Sequence, residues 1–549
     1  MKKLILANGI LIIFLLTISF TSTSALNYTN KTFLMPRATS SLQYLERDSF
    51  HRLTKEGSDS KHAVGGALQI SRFYRTSENS TDLGRYFGVN RSNQVTYGLA
   101  TNYTAGGNIL SSLPTSKDID SHLLIHPIEF FSYPTNLAGT LTLKPKHTQD
   151  GFLVSYHHQF TNLDDKLFFK INFPIVTVKN DLRATATEVK DQNNKGILDY
   201  LSGNIDYSTT TTKQSPLTHA KIDGAQSKSG VADVTFSLGY KFIDKVDYQV
   251  HANLNVILPC GNEPEGKYLF EPVVGNGKHV GVGCDFLTSL NIFRKEETCC
   301  ELVLAGNYTH LFSSDEKRTL GFRSSIIMDE DPVELLGFLT ALTDDDDVAA
   351  SLPDERWATV STLTPHAYET AMVTQPWNHY LLGGQEGEKG TFPLANILTQ
   401  NVSVSPGNSF CGSVNIAYHN KKFTADIGYS CFARDAEKIS LKETWTNDTY
   451  AIAKASYDPR DNFEIMGHGD TGLNTDYVMS NLAISQANLN VNAAATPAIF
   501  TQTIHAGVAY ILNHLEYPII FGVGASYEWT QDNAAIKGYT IWGKAGVAF

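Results

Sequence analysis

The stretch Val246–Leu258, VDYQVHANLNVIL, decides the fold. Val246, Tyr248, Val250, Ala252, Leu254, Val256 and Leu258 fall on one side of a period of two, and Asp247, Gln249, His251, Asn253 and Asn255 on the other. Successive side chains of an extended chain point to opposite faces, so this segment needs an apolar medium on one side and water on the other. Asn408 to His419 repeats the pattern, with Phe410, Gly412, Val414, Ile416 and Tyr418 opposite Cys411, Ser413, Asn415 and His419. Lys422 to Arg434 does so again, with Phe423, Ala425, Ile427 and Tyr429 opposite Thr424, Asp426, Gly428 and Ser430. Further matches are Gly151 to Thr161, Lys166 to Val178, Ala232 to Phe242, His279 to Phe293, Cys299 to Phe312, Ile499 to Asn513, Tyr517 to Thr530 and Ala535 to Phe549. Segments of roughly 12 to 16 residues exceed the usual globular strand and suit a tilted strand crossing a bilayer.

The links between these segments alternate in length. Short ones fall near Asn162 to Asp165, Asp244 to Lys245, Lys295 to Glu297, Asn420 to Lys421 and Asn513 to Leu515; long ones occupy roughly 180 to 231, 259 to 278, 313 to 407 and 435 to 498. Membrane barrels have short turns on one side and long loops on the other, which predicts that all the long links share one face. An even strand total requires an odd number before Gly151. Ala63 to Tyr74 supplies one candidate, and Gln94 to Ala100 with Ser121 to Ser132 would add two more, giving 12 or 14 strands. In the largest link, Asp331-Pro332-Val333-Glu334 reads as an N-cap, a first-turn proline and a capping-box carboxylate of a short helix.

At the N-terminus, Lys2 and Lys3 precede an apolar run from about Ile10 to Phe20 and small residues ending at Ala25. This is the pattern of a secretory signal peptide, assigned to residues 1–25. Residues 26–62 carry no clear period and are expected to form a periplasmic arm or an inward plug, ahead of a barrel over 63–549 with long external loops near 180–230, 313–407 and 435–497.

Composition narrows the alternatives. The chain of 549 residues is 42% hydrophobic, yet beyond the leader no apolar run is long enough for a membrane helix. A formal net charge of −12 argues against a nucleic-acid partner. Cys411 and Cys431 sit on strands joined by a tight turn, but alternation places Cys411 inside and Cys431 outside, so a bridge would demand a slipped register. Gly275-Asn276-Gly277 lacks the following helix and Gly-Lys-Ser/Thr element that a phosphate loop needs. The acidic runs Asp329–Asp331 and Asp344–Asp347 lack the spacing of a calcium loop and read as solvated surface. No catalytic constellation, metal set or cofactor motif emerges, so no enzyme activity is expected.

The last strand alternates Tyr539, Ile541, Ala545, Val547 and Phe549 with Thr540, Lys544, Gly546 and Ala548. Here the chain resembles bacterial outer-membrane β-barrel proteins, porin-like or fatty-acid-transporter-like, whose terminal aromatic strand is read by the barrel-assembly machinery. The resemblance implies an all-β, antiparallel up-and-down transmembrane barrel in the bacterial outer membrane. It also implies outer-membrane lipid and the assembly machinery as partners, with Phe549 as assembly signal. Phe242, Tyr248, Phe293, Phe312, Tyr418, Phe423, Tyr517 and Trp529 would supply two interfacial girdles.

The inward faces carry Lys166, Lys170, Asp233, Lys241, Asp247, His251, Asp285, Glu301, Asp426, Glu528 and Lys544 as pore-lining candidates. Charges of both signs either line a water-filled pore or brace the wall in pairs. The expected function is a porin-like channel passing small solutes by diffusion. Its alternatives are a transporter of hydrophobic substrates with an N-terminal plug, and a surface structural or adhesive barrel.

Overall fold

The computed structural model describes residues 29–39, 42, 45, 65–89, 91–98, 119–120, 137–160, 163–190, 194–206, 214–295, 298–322, 377–385, 391–420, 422–447, 449–452, 454–458, 462–466, 484–512, 515 and 517–549. The leader, the Asp331 helix, the two acidic runs and the Ser121 to Ser132 strand lie outside these residues.

Twelve strands form one closed antiparallel sheet. They are β1 (Gly66–Ser77), β2 (Lys146–Gln159), β3 (Leu167–Asp181), β4 (Val234–Lys245), β5 (Tyr248–Leu258), β6 (Gly281–Lys295), β7 (Thr298–Leu311), β8 (Gly407–His419), β9 (Phe423–Arg434), β10 (Ile499–Leu512), β11 (Ile519–Thr530) and β12 (Gly538–Ala548). Neighbours in sequence pair in space, and β12 closes on β1, where Gly66 N–H donates to Phe549 O at 2.8 Å and Phe549 N–H returns to Gly66 O at 2.9 Å. No backbone edge is left unpaired, as lipid requires. The chain is therefore an up-and-down β-barrel of the transmembrane type. Among the described residues no helix is long and apolar enough to cross a membrane.

All eleven alternating segments appear as barrel strands, and Ala63 to Tyr74 supplies the twelfth. The count is 12 and not 14, because Gln94–Gly98 does not join the wall. It pairs with Ala138–Thr142, which in turn pairs with Thr185–Val189, and its Val95 and Tyr97 are buried in a protein core instead of facing lipid. Residues 78–145 are thus a further long link on the same face as the others.

Alternation resolves into two environments. Leu254 is 72% exposed and Ile427 54%, whereas Asn253, Asn255 and Ser430 are buried within the lumen. The wall is apolar outside and polar inside, the inverse of a soluble core. Exposed Phe242, Phe293, Tyr418, Phe423 and Tyr517 lie toward the short turns, and Tyr74, Phe312, Phe410 and Tyr539 toward the long links. Each group suits one interfacial girdle.

The largest apolar core is built by the long links themselves. Tyr86 and Phe87 from the first, Tyr200 and Leu201 from the second, and Trp377 and Tyr380 from the fourth pack in one buried cluster. Tyr200 Oη donates to Tyr380 O at 2.5 Å, Tyr380 Oη to Ala220 O at 2.6 Å, and Trp377 Nε1 to Phe87 O at 2.8 Å. Polar tips are satisfied while ring bodies are buried, so the links make a folded cap at one barrel mouth.

Candidate functional site

Residues 29–39 lie inside this assembly. Thr29 and Asn533 hydrogen-bond to one another at 2.9 and 3.0 Å, with Asn533 in the β11–β12 link on the cap side. The chain then descends: Thr32 Oγ1 donates to Thr319 O at 2.6 Å, Met35 N–H to Thr496 Oγ1 at 3.1 Å, and Leu42 and Leu45 pack on Phe73, Leu153 and Trp542 of the inner wall. Of the segment expected as a periplasmic arm or a plug, the described residues 29–39, 42 and 45 lie within the cap and lumen, with Thr29 at the mouth opposite the short turns. Ala67, Phe73, Leu153 and Trp542 supply the apolar inward positions that a purely aqueous lumen would not contain.

Arg37 anchors this segment. Its Nη1 lies 3.4 Å from Glu528 Oε1, its guanidinium stacks 4.2 Å from the Phe432 ring centroid, and Nη2 approaches Cys411 Sγ at 3.9 Å. Arg75 of β1 holds the other oxygen of Glu528 at 2.9 Å and donates to Arg37 O at 3.4 Å. All three charges are buried. Glu528 is shared by the two guanidinium groups, a buried arrangement that is tolerable only while each partner stays in place. Arg434 adds a bond to Met35 O at 3.1 Å.

Above the anchor, the cap is fastened to the barrel rim by a second buried cluster. His279 Nε2 sits 3.0 Å from Glu316 Oε1 and His279 Nδ1 2.7 Å from Phe312 O. Glu316 also pairs with Arg318, which reaches Glu437 at 3.5 Å and lies over the Phe33 ring. Burial raises the Asp233 carboxyl to about 7, opposed by the Asn276 backbone N–H and by His279. Burial likewise raises Glu271 to about 7 against two backbone N–H donors, Glu265 and Gly266.

The sequence-derived pore-lining residues separate into three groups. Lys170, Lys241, His251, Asp285, Glu301, Asp426, Glu528 and Lys544 stand on the inner face. Lys166 and Asp247 do not: they are exposed in the short turns, because each strand ends one or two residues before its alternation does. Asp233 is buried at the rim, between β4 and the segment Ala225–Val231 that continues its pairing on β3. Within the lumen, Glu301 meets His419 at 3.3 Å, Lys241 meets Gln159 at 3.0 Å, and Phe168 lies between His157 and His251 at 5.2 and 5.5 Å. Arg37, Arg75 and Arg434 escaped the sequence reading. Arg75 continues the inward phase of Phe73, but Arg37 lies in a segment with no period to extrapolate.

A cavity of about 80 Å³ remains between Met35–Ala38 and the wall of β3 to β9. At about 10 to 15 Å³ of such space per water, that is room for about six waters or one small solute of similar bulk. All six cysteines are free thiols. Among the described residues no His, Cys, Asp and Glu cluster has the grouping of a metal site.

The class this architecture defines is a closed membrane β-barrel with a polar interior, an inserted N-terminal segment and a folded cap. No family model and no curated protein matches the chain. Solved structures similar to it are outer-membrane β-barrels. The COG4313 outer membrane channel from Pseudomonas putida F1 has 9% identity and a TM-score of 0.35, with 89% of this chain and 97% of that chain covered. The NanC porin has 7% identity and a TM-score of 0.23, with 75% and 98% covered. A Pseudomonas aeruginosa FadL homologue has 8% identity and a TM-score of 0.25, with 96% and 99% covered.

Proposed function

We propose that this protein is an outer-membrane channel for small hydrophilic solutes, held closed by its own N-terminal segment. The supporting observation is the lumen itself. Gln69, Ser155, Asn253, Asn415, Thr503 and Ser526 face inward from six strands, the polar interior that a water-filled channel for hydrophilic solutes requires. The inserted segment also fits the hydrophobic-substrate transporter reading, but the cavity beside it is lined mainly by amides, hydroxyls and charges, which favour a hydrophilic solute.

The test is planar-bilayer conductance of the refolded full chain beside the Glu528→Gln variant. Removing that charge breaks the buried ion pairs of Glu528 with Arg37 and Arg75, and breaking a buried pair costs about 3 to 5 kcal/mol. The full chain should show rare or small openings, and the variant frequent, larger ones. Silence of both proteins would overturn the channel reading; equal conductance would overturn closure by the Arg37 anchor.

A further inference from the structure

The wall of the cavity is built with more regularity than bracing needs. Across β4 to β7 the register sets Ser237 beside Asn255, then Gly283, then Thr309. One inward step closer to the short turns, Asn253, Asp285 and Asn307 stand side by side on β5, β6 and β7. Asn253 Nδ2 donates to Asn255 Oδ1 at 2.7 Å and to Asp285 Oδ2 at 2.9 Å; Asn307 Nδ2 donates to Asp285 Oδ1, and Thr309 Oγ1 to Asn307 Oδ1 at 3.2 Å. Gly283 contributes no side chain, and the Tyr308 carbonyl and Thr309 Oγ1 close over it, so Asn255, Asp285 and Thr309 form one continuous polar surface.

Two features point to a ligand. Ser237 Oγ is buried in this wall and has no hydrogen-bond partner, a state that costs about 1 to 3 kcal/mol unless something supplies one. The cavity's charges are also mixed in sign, Arg37, Lys170 and Arg434 standing with Asp285 and Glu437, and Arg37 and Arg434 are already engaged by Glu528 and Glu437. Amides and hydroxyls offer donors and acceptors side by side, the match for an O–H group that both donates and accepts. Ile257 and Leu311, lining the next row toward the cap, offer an apolar surface to C–H groups.

We propose that this wall is a binding site for an uncharged, hydroxyl-rich small solute, a polyol or a sugar, held between β4–β7 and the Met35–Ala38 segment. The proposal deepens the channel reading by naming its solute class, and its test is separate from the conductance test. Purified full chain in detergent micelles is titrated calorimetrically with sorbitol, glucose and sucrose, and in parallel with glutarate and putrescine as charged probes. At least one of the three hydroxylated probes should bind saturably, and the charged probes should not. Asp285→Asn and Ser237→Ala should each weaken that binding about 3- to 10-fold, the worth of one hydrogen bond, in barrels that keep their heat-modifiable mobility. Because the Ser237 change only removes an oxygen, it stays informative if the Asp285 variant fails to fold. No saturable binding of any hydroxylated probe, tighter binding of glutarate or putrescine, or unchanged affinity in the folded variants would overturn the proposal. A barrel that conducts as Glu528→Gln but binds none of the hydroxylated probes would leave the channel reading intact.

Discussion

Leu254 and Asn255 are consecutive, yet one meets the exterior and the other the cavity wall. A charge at the outward position has no partner in hydrocarbon, whereas one at the inward position can reach water and the amides of β5 and β6. Leu254→Arg should therefore lower barrel stability by roughly 2 to 4 kcal/mol, and Asn255→Arg by much less, in urea unfolding from lipid vesicles. Equal losses would mean that the strand phase is wrong. The rim carboxyls make a second residue-scale prediction. In Asp233 and Glu271 the folded value is raised to about 7, above the ordinary carboxyl range. Their stabilising contribution is thus complete at low pH and is lost as pH rises from about 4 through about 7. Wild type should lose more thermal stability over that interval than Asp233→Asn/Glu271→Gln, and parallel pH profiles would refute the assignment.

At the scale of elements, the strands were legible because each must satisfy two solvents at once. A one-residue slip would turn Ile427 inward and Ser430 outward, so periodicity alone specifies register as well as existence. Strand ends were less legible: alternation continues through Lys166 and Asp247, but the backbone turns there. The place of residues 29–39 was not legible, since residues 26–62 lacked a period and gave no sign that Arg37 would find Glu528 almost five hundred residues away. The cap was hidden for the same reason, its core being assembled from short pieces of separate links. In the terminal strand, the backbone of Phe549 completes the pairing of β12 with β1 through Gly66. Deleting Phe549, or replacing it with Asp, should lower the yield of heat-modifiable barrel while leaving export intact. Undiminished yield would assign closure to the rest of the β1–β12 register.

For the whole molecule, the two mouths differ in kind. One carries turns of a few residues and the joined ends of β1 and β12; the other carries every long link, the folded cap and Thr29. If the barrel sits in an outer membrane with short turns in the periplasm, Thr29 lies at the outer mouth and residues 29–39 run inward from it. The exposed native thiol of Cys260, in the β5–β6 link, offers a built-in marker of that face. A membrane-impermeant maleimide should label Cys260 in intact cells. In a Cys260→Ser background, Glu443→Cys on the cap side should be labelled as well, while Leu163→Cys, on the 78%-exposed turn residue between β2 and β3, should react only after lysis. A short epitope placed immediately before Thr29 should be accessible from outside together with Glu443→Cys, because Asn533 holds Thr29 at that mouth. Labelling of Leu163→Cys in intact cells with Glu443→Cys silent would invert the orientation. An epitope that becomes accessible only on lysis, with Glu443→Cys still labelled, would instead show that the N-terminal segment withdraws from the lumen in the membrane, and closure by the Arg37 anchor would then fail.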